Sequence, residues 1–147
     1  MSRSARGVIP DEVAVRGARA LEQAIAPVSG VQRAILLSED GFEIASWKSQ
    51  GATAMHGSSL AAMASSLMAM AAAVGREIDF RHCKRLTFEA DGGTITLQAI
   101  TADFPCILCL VLSSDAVLGR TLWAGGEVAQ LMRGASAVDP NPTGQPA

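Results

Sequence analysis

The chain has few aromatic residues and no strong excess of charge of either sign. Of its 147 residues, 4% are aromatic, none is Tyr, and 12 Lys and Arg stand against 14 Asp and Glu. Binding of nucleic acid needs a basic face for the phosphates, and binding of single strands also uses aromatic rings for stacking. The composition therefore argues against a nucleic-acid partner.

Cysteine is scarce as well, and the chain shows no secretory signal. Its three cysteines are Cys83, Cys106 and Cys109. Residues 1–9 contain two arginines but no apolar run behind them, which differs from a signal peptide. An odd number of cysteines without such a signal indicates free thiols in a reducing compartment. We therefore expect a cytoplasmic protein.

Motifs for metal binding, cofactor binding and catalysis are missing. Cys106 and Cys109 form a CxxC within a strand-like segment, but residues three apart on a strand point to opposite faces and cannot easily share a metal. The sequence has no Walker A loop, GxSxG, HExxH or dinucleotide-binding glycine pattern. We expect no catalytic residue, no cofactor and no metal site, and therefore no enzyme.

The most unusual feature present is a long segment without charge. Between Lys48 and Arg76 there is no Lys, Arg, Asp or Glu, and residues 60–74 have the periodicity of a helix. One side of this helix carries bulky residues, which we expect to pack on the core of the chain itself: Leu60, Met63, Leu67, Met70 and Val74. The opposite side carries small residues: Ala61, Ala62, Ser65, Ala69 and Ala72. A helix with no polar face is covered on both sides, so we expect a partner to cover the small side.

A membrane span is the alternative for this helix. Residues 54–74 would extend about 31 Å, close to the thickness of the hydrocarbon layer. The segment is rich in Ala, Ser and Gly, lacks Trp or Tyr at its ends, and has strand-like sequence on both sides. These features favour a helix covered by a protein partner over a membrane span.

Hydrophobic patterns and turn residues predict a single α/β domain with five strands. We expect a flexible N-terminal extension at residues 1–10, one domain at 11–133, and a disordered tail at 134–147. Predicted strand 5 (residues 106–112) is apolar throughout, and predicted strand 1 (residues 31–37) is nearly so, with Gln32 and Arg33 polar at its start. Both therefore belong in the centre of the sheet. Hairpin connections then give an antiparallel sheet of order 2-1-5-4-3. Helices are predicted at residues 11–26, 60–74 and 116–132.

The third strand would form a free edge of this sheet. In an antiparallel pairing of two copies centred on Thr87, Arg85 of one copy would face Glu89 of the other. An ordinary solvated edge explains the same residues equally well. Trp47 and Trp123 are predicted to be partly buried core residues, and partner anchors are the alternative for both.

The order of these elements, together with several short segments, resembles the Roadblock / dynein light chain family, which has many bacterial members. The resemblance covers about residues 21–132. Its segments include Val28-Ser29-Gly30-Val31, Ile35 to Gly41, Leu60-Ala61-Ala62-Met63-Ala64, Glu89-Ala90-Asp91-Gly92-Gly93, Leu108 to Leu112, and Leu118-Gly119.

The resemblance implies a profilin-like sandwich with the long helix on one face of the sheet and the terminal helices on the other. It also implies a homodimer formed through the long helix and the third strand. With the residues discussed above, the predicted dimer interface comprises Ala61, Ala62, Ser65, Met68, Ala69, Ala72, Arg85, Thr87 and Glu89. Bacterial members are similar to regulators of small Ras-like GTPases, so a non-enzymatic module that regulates or scaffolds such a GTPase is expected. A structural adaptor that links larger partners without a GTPase is the alternative.

Overall fold

The computed structural model describes residues 8–52 and 57–134. Most of the predicted N-terminal extension and tail lies outside the described residues. The predicted elements are present, with ends that differ by a few residues. They are α1 (Asp11–Ala20, continued by a π-helical turn over Leu21–Ile25), β1 (Val31–Ser38), β2 (Glu43–Lys48), α2 (Gly57–Glu77), β3 (Arg85–Ala90), β4 (Gly93–Ile100), β5 (Cys106–Ser113) and α3 (Leu118–Arg133).

The five strands form one antiparallel sheet of order β2-β1-β5-β4-β3, which confirms the predicted topology. All neighbouring strands run antiparallel, and Ile35 lies opposite Cys109 at the centre of the sheet. The β1–β2 turn closes with a hydrogen bond from Gly41 N–H to the carbonyl of Ser38 at 2.9 Å. Gly41 has φ of 94°, a conformation that favours glycine. The turn thus depends on the glycine that the sequence places there.

Helices cover the two faces of the sheet unequally. On one face, α1 and α3 pack with all strands except β3 around a core that includes Leu36, Leu108 and Val128. On the other face, α2 alone packs on β1, β4 and β5, around a smaller core that includes Ile35 and Leu97. Among residues 8–52 and 57–134, nothing but this helix covers that side of the sheet, and part of it is left open.

The orientation of α2 corrects the sequence-based prediction. Ala61, Ala64 and Met68 face the sheet, with exposed fractions of 1%, 1% and 7%. Four residues of the bulky stripe that was predicted to pack on the core are instead exposed: Met63, Leu67, Met70 and Val74. Leu60, the fifth, is partly buried and contacts the core beneath α2. Small residues let the helix backbone lie close to a sheet whose own side chains, such as Ile35 and Leu97, are large and already fill the layer between them.

Cys106 and Cys109 point to opposite faces of the sheet, as predicted for residues three apart on a strand. Cys106 belongs to the core on the side of α1 and α3, whereas Cys109 belongs to the core beneath α2. Burial raises the pKa of both thiols from 9.0 to about 12, and the charge of Glu39 adds to this at Cys106. Both side chains therefore stay protonated near neutral pH and act as small apolar core residues.

Candidate self-association surface

The exposed side of α2 is a continuous apolar stripe. Met63, Met70 and Val74 have exposed fractions of 56%, 64% and 62%, and Leu67 has 37%. They follow the i, i+4, i+7 spacing of one helix face, so their side chains form a single ridge. Isolated apolar residues on a surface are common, but a ridge of four within a charge-free segment indicates a protein contact.

A second apolar strip lies beside α2, on the uncovered part of the same face of the sheet. Leu86 of β3 packs against the core beneath α2. Phe88 lies two residues further along β3, so it points to the same face, and 40% of it is exposed. Its partner on β4 is Ile95, which also contacts this core. Helix and sheet together present one apolar surface with a step between them.

Within the described residues, no strand pairs with the outer edge of β3. The carbonyl of Lys84 accepts a hydrogen bond from the N–H of Ala99 on β4 at 3.0 Å. Backbone groups alternate along an antiparallel strand, so those of Arg85, Thr87 and Glu89 point away from β4. Their side chains are exposed as well. Another strand could add to the sheet at these three residues.

The predicted interface residues on α2 are distributed over three environments. Ala61 and Met68 are buried in the core of the same chain, so they have no surface left for a partner. Ser65 donates a hydrogen bond from its hydroxyl to the carbonyl of Glu39 at 2.7 Å and is half-buried, as is Ala72. The exposed ones, Ala62 and Ala69, lie on the flank of α2 away from the bulky stripe.

A cleft of about 720 Å³ runs along this other flank of α2. Met68 and Ile107 contribute to its apolar lining. Arg76, Arg81 and Lys84 lie along it, against the single carboxylate of Glu39. By the helix period, Arg76 points about 120° or more from the bulky stripe. A partner on the stripe would therefore leave the cleft open.

Within residues 8–52 and 57–134, no group of three or more His, Cys, Asp and Glu side chains could hold a metal ion. One helical segment, Ser59–Glu77, is long and apolar enough to cross a membrane by length and composition alone. Its inner side packs on the sheet through Ala61, Ala64 and Met68.

Sequence reasoning missed the bulky stripe and Phe88 as surface residues. The 3.6-residue period correctly grouped the stripe on one face, but periodicity alone does not say which face turns inward. A usable signal was present in β1 and β5, which are apolar on both faces. Strands with large side chains beneath a helix favour small residues on the helix side that meets them.

Comparison with solved structures supports this fold. The gliding protein MglB of Thermus thermophilus superposes with a TM-score of 0.74 at 16% identity, covering 86% of this chain and 92% of that one. A Roadblock/LC7 domain from Streptomyces avermitilis gives 0.64 at 20% identity, covering 82% and 94%. Profilin IB of Acanthamoeba castellanii gives 0.53 at 14% identity, covering 78% and 94%. At these identities the likeness concerns the fold, and it confirms the profilin-like sandwich.

No curated protein matches the chain significantly in sequence. The model of the Roadblock/LC7 domain family, in contrast, matches residues 18–112, which include the whole sheet except the last residue of β5. The chain therefore belongs to the Roadblock/LC7 domain family.

Proposed function

We propose that the chain is a homodimeric, non-enzymatic module that binds a small Ras-like GTPase and regulates or scaffolds it. The observation that carries the dimer is the uncovered bulky stripe of α2 beside the uncovered strip on β3 and β4. The GTPase part is supported by membership of the Roadblock/LC7 family and by the resemblance of this chain to bacterial members of the GTPase-regulating type.

In the proposed dimer, two α2 helices pack against each other over a sheet that continues from one copy into the next. Burial of Met63, Leu67, Met70 and Val74 would contribute about 1.5 kcal/mol or more for each side chain that becomes fully covered. Phe88 would lie beneath the second helix. Each copy thus supplies the cover that its own fold leaves incomplete.

The strand edge fits a symmetric pairing. Because the free backbone groups belong to Arg85, Thr87 and Glu89, an antiparallel pairing centred on Thr87 would bring together residues that can exchange hydrogen bonds. The same register places Arg85 of one copy opposite Glu89 of the other, twice. We therefore keep the predicted β3 pairing, and we replace the predicted α2 contact by the bulky stripe.

The proposal assigns no catalysis to this chain. Such a module acts on a GTPase by holding its switch segments or by bringing it to another protein, and the GTPase itself supplies the phosphoryl-transfer chemistry. The carboxylates of Glu39, Asp40 and Asp91 lie at turns, where backbone hydrogen bonding explains their presence.

Binding to a purified small GTPase tests the proposal. The probe is a P-loop GTPase encoded beside the gene of this chain, loaded with GDP or with a non-hydrolysable GTP analogue, and the measurements are calorimetric binding and single-turnover hydrolysis of GTP. We expect binding that differs between the two nucleotide states. The double variant Leu67→Arg/Met70→Arg should lose this binding, because it cannot form the dimer through α2.

Ala69→Arg is the control, since it places an arginine on the other flank of α2 and should keep both the dimer and the GTPase. Absence of binding in both nucleotide states, with an intact dimer, would contradict the GTPase proposal and favour the adaptor that links larger partners.

A further inference from the structure

The most exposed large apolar side chain on the other face of the molecule is Trp123 of α3. It is 69% exposed, so the prediction that it is a partly buried core residue is wrong, whereas Trp47 does pack against the core. Val117 and Leu118 at the start of α3 are also exposed, at 61% and 43%. Exposed Trp is costly in water and is strongly enriched among residues that dominate protein interfaces.

The surroundings of Trp123 on the helix surface are open. Gly119 and Gly126 lie four residues before it and three residues after it, on the same side of α3. A Cβ atom at either glycine would meet nothing within 4 Å. The backbone of α3 is therefore accessible at these two glycines, and a large side chain of a facing helix can lie close to it.

Two charged residues beside Trp123 have opposite signs, so a twofold axis can pair each of them with the other residue of a second copy. Arg120 and Glu127 are both exposed and lie on the same side of Trp123. If two α3 helices run antiparallel about an axis between residues 123 and 124, Arg120 of one copy and Glu127 of the other lie at the same height. The symmetry produces this opposite-charge pair twice.

The same register places Trp123 over a glycine. A helical side chain leans toward the N-terminus of its own helix, so the indole of Trp123 covers the level of about residue 121. In the second copy this level belongs to Gly126. In this one arrangement the second copy covers the indole of Trp123 and pairs the charges of Arg120 and Glu127, and the backbone does not have to change.

We propose that α3 forms a second self-association surface, occupied by α3 of another copy of this chain, with Trp123 inserted over Gly126 and Arg120 paired with Glu127. This surface lies on the opposite face of the sheet from α2. It is therefore independent of the α2 contact in the proposed function, and both can form at once. Two twofold contacts per copy join dimers into tetramers, or into open chains if the axes do not close.

Light scattering coupled to size exclusion tests this surface over a range of concentrations. We expect the protein to reach at least four chains of 15.2 kDa each as the concentration rises. Trp123→Ala should raise the dissociation constant of this step about 30-fold or more, as for a central interface residue. The α2 variant Leu67→Arg/Met70→Arg should reduce the assembly to two chains held through α3, which separates failure of one contact from failure of the other.

Charge exchange provides the specific control. Arg120→Glu and Glu127→Arg should each weaken the step, because each places like charges opposite each other, and the double variant Arg120→Glu/Glu127→Arg should restore it. Circular dichroism should show the same helix content in all variants. Three outcomes overturn the proposal: a protein that remains at two chains up to about 1 mM and whose α2 variant is a single chain, a Trp123→Ala variant with unchanged mass, or a double variant that stays as weak as the single ones.

Discussion

The two faces of the sheet are completed in different ways. On one face, two helices and the turn that follows α1 cover the sheet, with Leu36, Leu108 and Val128 fully buried. On the other face, one helix of small inward residues covers only the central strands, and Phe88 stays 40% exposed. The first face is covered within the chain, whereas in the proposed dimer the second is covered when another copy adds its helix. The face of the sheet that its own helices cover least is therefore the face where we expect another copy to bind.

A larger side chain between α2 and the sheet tests whether the small residues of α2 pack tightly there. Ala64→Leu adds three carbons between the helix and the sheet, and we expect it to lower the free energy of unfolding by about 1 to 3 kcal/mol. Ala73→Leu makes the same change on an exposed side of α2 and should stay within about 0.5 kcal/mol. Urea denaturation measures both. Equal values would mean that the small side of α2 does not pack tightly on the sheet.

Charge changes at the edge of β3 are expected to have a smaller effect, and it concerns the stability of the proposed dimer. Arg85→Glu would place two like charges opposite each other twice in the proposed β3 pairing, and each exposed pair is worth about 0.2 to 1 kcal/mol. We expect the dimer dissociation constant to rise several-fold at low salt. The exchange Arg85→Glu/Glu89→Arg should return it to the wild-type value. Sedimentation at two salt concentrations measures the change, and no dependence on salt would argue against this register.

Thiol reactivity compares the two cores without changing the stability of the fold. Cys83 is half-exposed, whereas Cys106 and Cys109 are buried on opposite faces. Burial raises the pKa of the two buried thiols to about 12, so a thiol reagent should label only Cys83 rapidly at neutral pH. In a variant that cannot form the α2 contact, Cys109 should be labelled before Cys106, because local opening is easier under the thinner cover.

The raised pKa of the two buried thiols also predicts a loss of folding stability at high pH. An unfolded cysteine loses its proton near pH 9.0, whereas the two buried ones keep theirs to about pH 12. Their contribution to stability is therefore complete below pH 9.0 and falls as the pH rises from there toward 12. Thermal unfolding across this range should show a loss that Cys106→Ala/Cys109→Ala reduces.

The sequence was sufficient for the topology and insufficient for the direction of α2. Strands β1 and β5 are apolar on both faces and therefore central, and turn residues such as Gly41 set the hairpins, so order 2-1-5-4-3 follows from local patterns. The facing of α2 depends instead on how its side chains fit those of the sheet. Met63 and Ala64 are neighbours in sequence and are both apolar, and packing decides that Ala64 turns inward.

For Trp123, too, the sequence did not show which side of its helix faces the core. Its apolar character suggested a partly buried core residue, but it occupies the side of α3 opposite Thr121 and Val128, which are buried. A shift of one or two positions along the helix would have reversed its environment. The uncertain ends of α3 and its glycines made it difficult to predict from the sequence which of its residues face inward.

The mass of the α2 variants tests the central claim most directly. The measurement is light scattering with Trp123→Ala present in every sample, so that only the α2 contact can join chains. We predict two chains for this background and for its Ala69→Arg derivative, and a single chain of 15.2 kDa for its Leu67→Arg/Met70→Arg derivative. Two chains in the last sample, or one chain with Ala69→Arg, would contradict the account of the bulky stripe as the dimer seam.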